Sequence, residues 1–270
     1  MVSFASRIAI SIVLAVLLES CGGGSSAGGR DRAFAIHGCY GKDSSASRFD
    51  HIVADGFTVV DRGAFKDELD ALPPGVKGSV WLGAYDNNTC TWEKSDDWIR
   101  SHVSAIAGHP AIAAYYLADE PHVWECPNAP DQLQTRSGLV KSIDSGPPTF
   151  TVIQPHSPGN PFTPYVGTVD VLGGERFPCS HSGGCVMSNI DDTIRLLDEA
   201  HVPRYWVLVQ AFADSFYRMP TADELRQEFQ HWRASRMEGY LVFSWNFGTD
   251  NLERHPDLID VLASENSASP

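Results

Sequence analysis

The sequence predicts an α/β fold, a single-domain (β/α)8 barrel of the TIM type, and three observations carry the prediction. Eight short runs rich in β-branched and aromatic residues recur along residues 33–270. Longer amphipathic stretches separate them, the alternation that builds a parallel sheet covered by helices. The eight units fit in about 240 residues, the size at which such barrels form as one domain. An open, doubly wound sheet is the competing arrangement; against it, neither GxGxxG nor GxxxxGK[ST] follows any of the runs.

The segment ahead of these units reads as an address. Residues 1–20 carry Arg7 and then the apolar stretch IAISIVLAVLL, the pattern of a signal peptide. Leu18-Glu19-Ser20-Cys21 resembles the bacterial lipobox, in which the cysteine is cleaved free and lipidated; Glu19 departs from the small or apolar residue usual there. A plain signal peptide is the alternative. Residues 21–32 are dominated by GGGSSAGGR, a flexible tether that would hold a domain away from a membrane surface. The expected location is outside the cytoplasm, with a membrane anchor at Cys21 facing the periplasm or the cell surface.

The strand candidates, in order, are AFAIHGCY at 33–40, FTVVDRG at 57–63, GSVWLGAY at 78–85, IAAYYLAD at 112–119, PTFTVIQ at 148–154, VDVLGGE at 169–175, RYWVLVQAF at 204–212 and GYLVFSWNF at 239–247. Helical spacing is expected over 45–56, 65–72, 95–109, 129–146, 189–201, 221–237 and 255–266, with Ser95, Asn189 and Thr221 as candidate N-caps ahead of acidic first turns. The fifth strand is followed by HSPGNPFTPYVGT, which reads as loop with at most a short helix.

Composition bounds the partners. The net charge of −14 argues against nucleic acid, which needs clustered Lys and Arg, and suits neutral or cationic small molecules better. Besides Cys21 there are Cys39, Cys90, Cys126, Cys179 and Cys185. In an exported chain pairing is the default. Cys179 and Cys185 bracket SHSGG, Cys90 and Cys126 form a second candidate pair, and Cys39 is left over, although spacing alone does not fix connectivity. Zinc is the rival, but no CxxC or HxxxH spacing supports a metal, and no cofactor is expected.

In such barrels the site lies at the C-terminal ends of the strands. The residues closing the eight candidates are largely polar or aromatic: His37 and Tyr40, Asp61 and Arg62, Tyr85 and Asp86, Asp119 and Glu120, Gln154 and His156, Glu175 and Arg176, Gln210, and Trp245 and Asn246. Among them, His109-Pro110-Ala111-Ile112 followed by Leu117-Ala118-Asp119-Glu120-Pro121 resembles the fourth-strand motif of clan A glycoside hydrolases, where His-Pro leads into a strand ending in Asn-Glu-Pro. The resemblance implies that Glu120 is the general acid/base, with Asp119 standing where Asn is usual, and that Trp245 in FSWNFG is an aromatic platform beneath a sugar. In that superfamily a Glu closing the seventh strand is the nucleophile. Here that strand reads WVLVQAFAD, with Gln210 and Ala211 in its place.

Glycoside hydrolysis uses two carboxyl groups, one protonated and one ionised. Glu175 is the leading candidate for the second, ahead of Asp61, Asp86 and Asp250; retention and inversion are both compatible with the sequence. Burial between Tyr115, Tyr116 and Trp124, together with the charge of Asp119, is expected to raise the pKa of Glu120. The expected binding residues for an oligo- or polysaccharide are His37, Asp61, Tyr85, Asp119, Gln154, Gln210, Trp245 and Asn246. Two functions follow: a glycosidase acting through Glu120 and Glu175, or a non-catalytic carbohydrate-binding barrel at the cell surface that lacks the seventh-strand nucleophile. The anchor is separately testable: Cys21→Ala is expected to move the protein out of the membrane fraction on cell fractionation, and retention there would exclude lipidation at this cysteine.

Overall fold

The computed structural model describes residues 37–39, 51–155, 159–247 and 249–267, with residues 37 and 39 described in backbone only. The expected signal peptide, the tether and His156 lie outside these residues. The main strands are β1 (His37–Cys39), β2 (Val59–Gly63), β3 (Lys77–Trp81), β4 (Ile112–Asp119), β5 (Thr149–Ile153), β6 (Val171–Glu175), β7 (Tyr205–Gln210) and β8 (Tyr240–Phe243). The helices are α1 (Lys66–Asp70), α2 (Asp96–Ile106), α3 (Ala129–Ile143), α4 (Ser188–Glu199), α5 (Ala222–Trp232) and α6 (Pro256–Ser267).

The α/β class is as the sequence predicts. Strands β2 to β8 lie side by side in chain order, all parallel, in one curled sheet. The short β1 pairs on one side with β2, Gly38 opposite Val59, and on the other with β8, Gly38 opposite Leu241. These strands read as unbroken apolar runs because both faces are covered; all eight residues of β4 are buried.

Two layers of core result. Inside the curl, Tyr116, Phe150, Trp206, Leu208, Leu241 and Phe243 pack together. Outside it, Tyr115, Leu117, Val207, Val209 and Val242 meet helix residues such as Ile99, Leu133, Leu197 and Phe229. Tyr115 therefore faces the helices, and its hydroxyl donates to Asp144 at 2.8 Å. That corrects the expectation that it buries Glu120.

Two of the three expected caps form. Ser95 Oγ accepts from Trp98 N, and Thr221 and Glu224 make a reciprocal capping box. Asn189 does not cap α4: its N–H donates to Val186 O and that of Ile190 to Met187 O, so the first turn winds up one residue upstream. The fifth unit carries only a 3-10 turn, Thr163–Tyr165, as its proline-rich sequence suggests. Tyr165 is still anchored, its hydroxyl donating to Pro121 O at 2.6 Å.

Short ribbons build up the rim beyond the strand ends. Tyr85–Asp86 pairs with Thr91–Trp92, Cys179–Ser180 with Gly184–Cys185, and Phe212–Ala213 with Asp250–Asn251. Disulfides join Cys90 to Cys126 and Cys179 to Cys185.

Gly173 of β6 is a packing constraint. A Cβ there would lie 2.9 Å from both Phe150 Cζ and Val152 Cγ2 in the inner core. Gly173→Ala is expected to destabilise the fold by about 1–3 kcal/mol, read as a lower midpoint in thermal or urea unfolding.

Candidate active site

Three neighbouring strands bring the polar groups together. β4 ends at Asp119 with Glu120 just beyond, β5 is followed by Gln154, and β6 ends at Glu175. A bulge in β4 decides which way its carboxylate points. Tyr116 sits opposite Phe150 while Ala118 sits opposite Thr151, so one extra residue is accommodated between them. The bulge inverts the strand's alternation and places Asp119 on the same inner face as Tyr116, whose hydroxyl donates to Asp119 Oδ1 at 2.6 Å. The other carboxylate oxygen, Oδ2, is buried with no hydrogen-bond partner among the described residues.

Glu120 adopts a left-handed backbone conformation, φ 42°, which costs a non-glycine residue about 1–3 kcal/mol. Hydrogen bonds hold it there. Its N–H donates to Val152 O at 3.1 Å, and its carbonyl accepts from Asn87 Nδ2 at 2.8 Å. Asn87 Oδ1 in turn accepts from His122 N at 2.7 Å, so one amide side chain clamps both sides of Pro121.

Across β5, the Glu175 carboxyl is hydrogen-bonded to that of Glu120. Gln154 Nε2 donates to Glu175 Oε1 at 3.0 Å from the strand between them. Glu175 is only 4 % exposed. Burial holds its pKa well above the ordinary carboxylate range, the charges of Glu120 and Asp119 raise it further, and the Gln154 bond opposes them. Asp119 is raised in the same way, by burial first and then by the charge of Glu120, with the Tyr116 hydroxyl opposing. Tyr217, on the loop after β7, is pushed up to about 12 by burial and by the charges of Glu175 and Glu120. These groups therefore share one electrostatic environment.

Aromatic rings line it. Trp81, Tyr116, Phe150 and Trp206 follow one another inside the curl at centroid separations of 4.7, 5.1 and 4.7 Å. Phe177, Phe212, Tyr217 and Phe243 make a second group near the ends of β6 to β8. Trp124 is 41 % exposed and stacks on His122 at 4.2 Å, so it does not enclose Glu120.

The other expected binding residues fall in different places. Asp61 is half-buried in β2, its carboxyl pushed up to about 7 mainly by desolvation. Asp86 is exposed and accepts bonds from Asn88 and Thr89 in its own turn, and Asp250 binds His255. None of the three is among the charges acting on Asp119 or Glu175. Tyr85 is buried, with its hydroxyl already donating to Gln132 of α3. Trp245 is 5 % exposed and belongs to the core between sheet and helices, so it offers no open face to a sugar. Asn246 is half-buried after β8, and the side chain of His37 lies outside the described residues.

Gln210 is fully buried and its amide is spent on backbone. Oε1 accepts from Cys179 N at 2.8 Å, while Nε2 donates to Cys179 O at 2.9 Å and Arg218 O at 2.8 Å. It holds the loop after β6 rather than facing the cleft. Sequence reasoning placed Tyr116 near Glu120 but missed its hydrogen bond to Asp119, and it missed Asn87 altogether. The local spacing carried no signal for either, because the first needs the bulge and the second a loop from another strand.

No protein-family model matches the sequence, and no curated protein matches it. Solved structures do share its fold. A candidate alpha-L-fucosidase from Bacteroides thetaiotaomicron superposes with a TM-score of 0.59 at 12% identity, covering 94% of this chain and 100% of that one. A beta-glucuronidase from Ruminococcus gnavus gives 0.61 at 11% identity over 82% of this chain and 46% of that one. A GH2 beta-galacturonidase from Eisenbergiella tayi gives 0.59 at 13% over 84% and 48%. The chain thus spans less than half the length of the last two, and the likeness is one of fold: a glycosidase-like α/β architecture.

The raised acids fix the sign of a pH effect. A carboxyl protonated in the fold and ionised in the unfolded chain favours folding at low pH. Its contribution is lost as pH rises from the ordinary value of 4.5 through the raised folded-state value. Thermal midpoints measured between pH 4.5 and 8 are expected to fall less steeply with pH for Glu175→Gln than for the parent chain; parallel slopes would show that Glu175 is ionised in the fold.

Proposed function

We propose that the chain is an exported glycoside hydrolase of the (β/α)8 barrel type, with Glu120 as general acid/base and Glu175 as the second carboxylate. The observation that carries the reading is the contact between these two carboxyl groups at the mouths of β4 and β6. Barrel closure is supported by β1, which pairs with both β2 and β8. The glycosidase names of the fold neighbours favour a carbohydrate substrate, and the signal-like residues 1–20 with Cys21 favour export and a lipid anchor.

Two carboxyl groups this close cannot both ionise readily, so the pair holds a proton between them. Glu120, the more exposed member, gives the proton to the leaving oxygen of a glycoside inserted between them. Glu175, then ionised, attacks the anomeric carbon. The direct contact of the two carboxyl groups lies nearer the separation of about 5–5.5 Å at which retention works than the about 6.5–9.5 Å that inversion needs for a water. Asp119, whose Oδ1 accepts from the Tyr116 hydroxyl, stands beside Glu120, and the coupling between the two favours keeping a proton among these acids. Gln154 orients Glu175 for attack.

A second reading is favoured by Gln210: its amide is consumed by backbone, and β7 supplies no nucleophilic carboxylate. A barrel of that kind would bind saccharides without cleaving them.

Turnover of a panel of aryl glycosides separates the two. Glu120→Gln is expected to lower kcat by about 100- to 10,000-fold on substrates with poor leaving groups and much less on activated ones. Glu175→Gln is expected to lower both. Saccharide binding with no turnover by the parent chain would establish the binding barrel instead.

A further inference from the structure

Arg176 follows Glu175 directly at the end of β6 and is half-buried. Its Nε is shielded from solvent and has no hydrogen-bond partner among the described residues. No ion pair involves its guanidinium there either, so the adjacent acids do not bind it. Tyr217 approaches from the loop after β7, its ring edge-on to Phe177 at 5.5 Å. The charges of Arg176, Glu175 and Glu120 all act on its phenol, so each of the three lies within electrostatic reach of it. No hydrogen bond from the Tyr217 hydroxyl is present among the described residues.

Two donors, a guanidinium and a phenol, thus stand within electrostatic reach of each other on the loops after β6 and β7, the phenol also in reach of the carboxyl pair. Simple charge balance does not account for the arginine. Burial raises the pKa values of both Asp119 and Glu175, which favours their uncharged forms and reduces the negative charge it could offset. Leaving a shielded guanidinium nitrogen unbonded is costly, and the cost is recovered when a ligand supplies the acceptor. An oxyanion is the acceptor that suits a planar guanidinium fork best. The chain's net charge of −14 does not preclude this: surface charges beyond about 8 Å are screened at physiological salt, whereas Arg176 acts at contact distance.

We propose that Arg176 and Tyr217 form an oxyanion-recognition site that selects glycosides bearing an anionic substituent, either the carboxylate of a uronic acid or a sulfate ester. The inference rests on the two-carboxylate reading above. Arg176 binds one face of the substituent through its fork, and Tyr217 donates a further hydrogen bond. The sugar ring is thereby held against the Glu120–Glu175 pair, on the side lined by Phe177.

The test compares matched p-nitrophenyl glycosides, α and β, each as the neutral hexoside, its uronide and its sulfated form. The parent chain is expected to favour one anionic form over the neutral one by about 10- to 100-fold in kcat/KM, the weight of a charge-assisted hydrogen bond or two. Whether uronide or sulfate leads identifies the substituent. Arg176→Gln is expected to bring the ratio towards one, and Arg176→Lys to recover part of it because charge returns without the fork. Circular dichroism of the variants checks that they fold.

A parent preference for neutral glycosides, or an unchanged ratio in Arg176→Gln, would overturn the proposal. If nothing is cleaved, the two-carboxylate reading fails by itself. The same ratio, measured as binding of the panel by saturation-transfer NMR, then decides the anion site; equal binding of neutral and anionic members overturns it.

Discussion

The site depends on one irregularity, the extra residue accommodated in β4 between Tyr116 and Ala118. Without it, strict alternation would turn Asp119 outward with Tyr115, towards the helices, where a carboxylate would lie in an apolar layer. With it, Asp119 joins the inner face and the chain leaves the strand at an angle that forces Glu120 into the left-handed region. The remaining contacts answer that strain. Val152 receives the Glu120 N–H, Asn87 bridges the turn, and Tyr165 binds the Pro121 carbonyl. A neighbouring strand and two separate loops are thus spent on fixing one turn. Such concentration is what a carboxylate positioned for chemistry requires, since small displacements of a reacting group are costly.

Gln210 illustrates the opposite logic. An amide can accept from one N–H and donate to two carbonyls at once, which is what Cys179 and Arg218 demand of it. A carboxylate has no hydrogen to give and would face two carbonyl oxygens. The end of β7 is therefore chemically committed to shaping the loop that follows β6, the same loop that carries Arg176 and Phe177. The carboxyl group that meets Glu120 comes from β6, not from β7.

Much of the fold was legible because burial on both faces makes each strand a continuous apolar run, and the helices between them carry their own start signals. Glu120, Glu175, Asp119 and Gln154 were legible too, because a residue closing such a strand has few places to go except the rim. Tyr85, Trp245 and Gln210 were misplaced for a shared reason. Position at a strand end says that a side chain is near the rim, not whether it points inward, outward or into a neighbouring loop. That choice was made by partners far away in sequence, Gln132 for Tyr85 and Cys179 for Gln210. Tyr116 depended on a shift of alternation that no local pattern announces.

The disulfide between Cys90 and Cys126 links the loop after β3 to the loop after β4 across 36 residues. Asn87, which grips the Glu120 carbonyl, lies three residues before one sulfur, and Glu120 lies six before the other. Together with the Asn87–Glu120 hydrogen bond, the disulfide therefore closes a short ring around this turn. Glu120 is set by oxidation as well as by folding: a chain made under reducing conditions would keep its apolar layers and its strand order, yet lose the girdle that holds its acid in register.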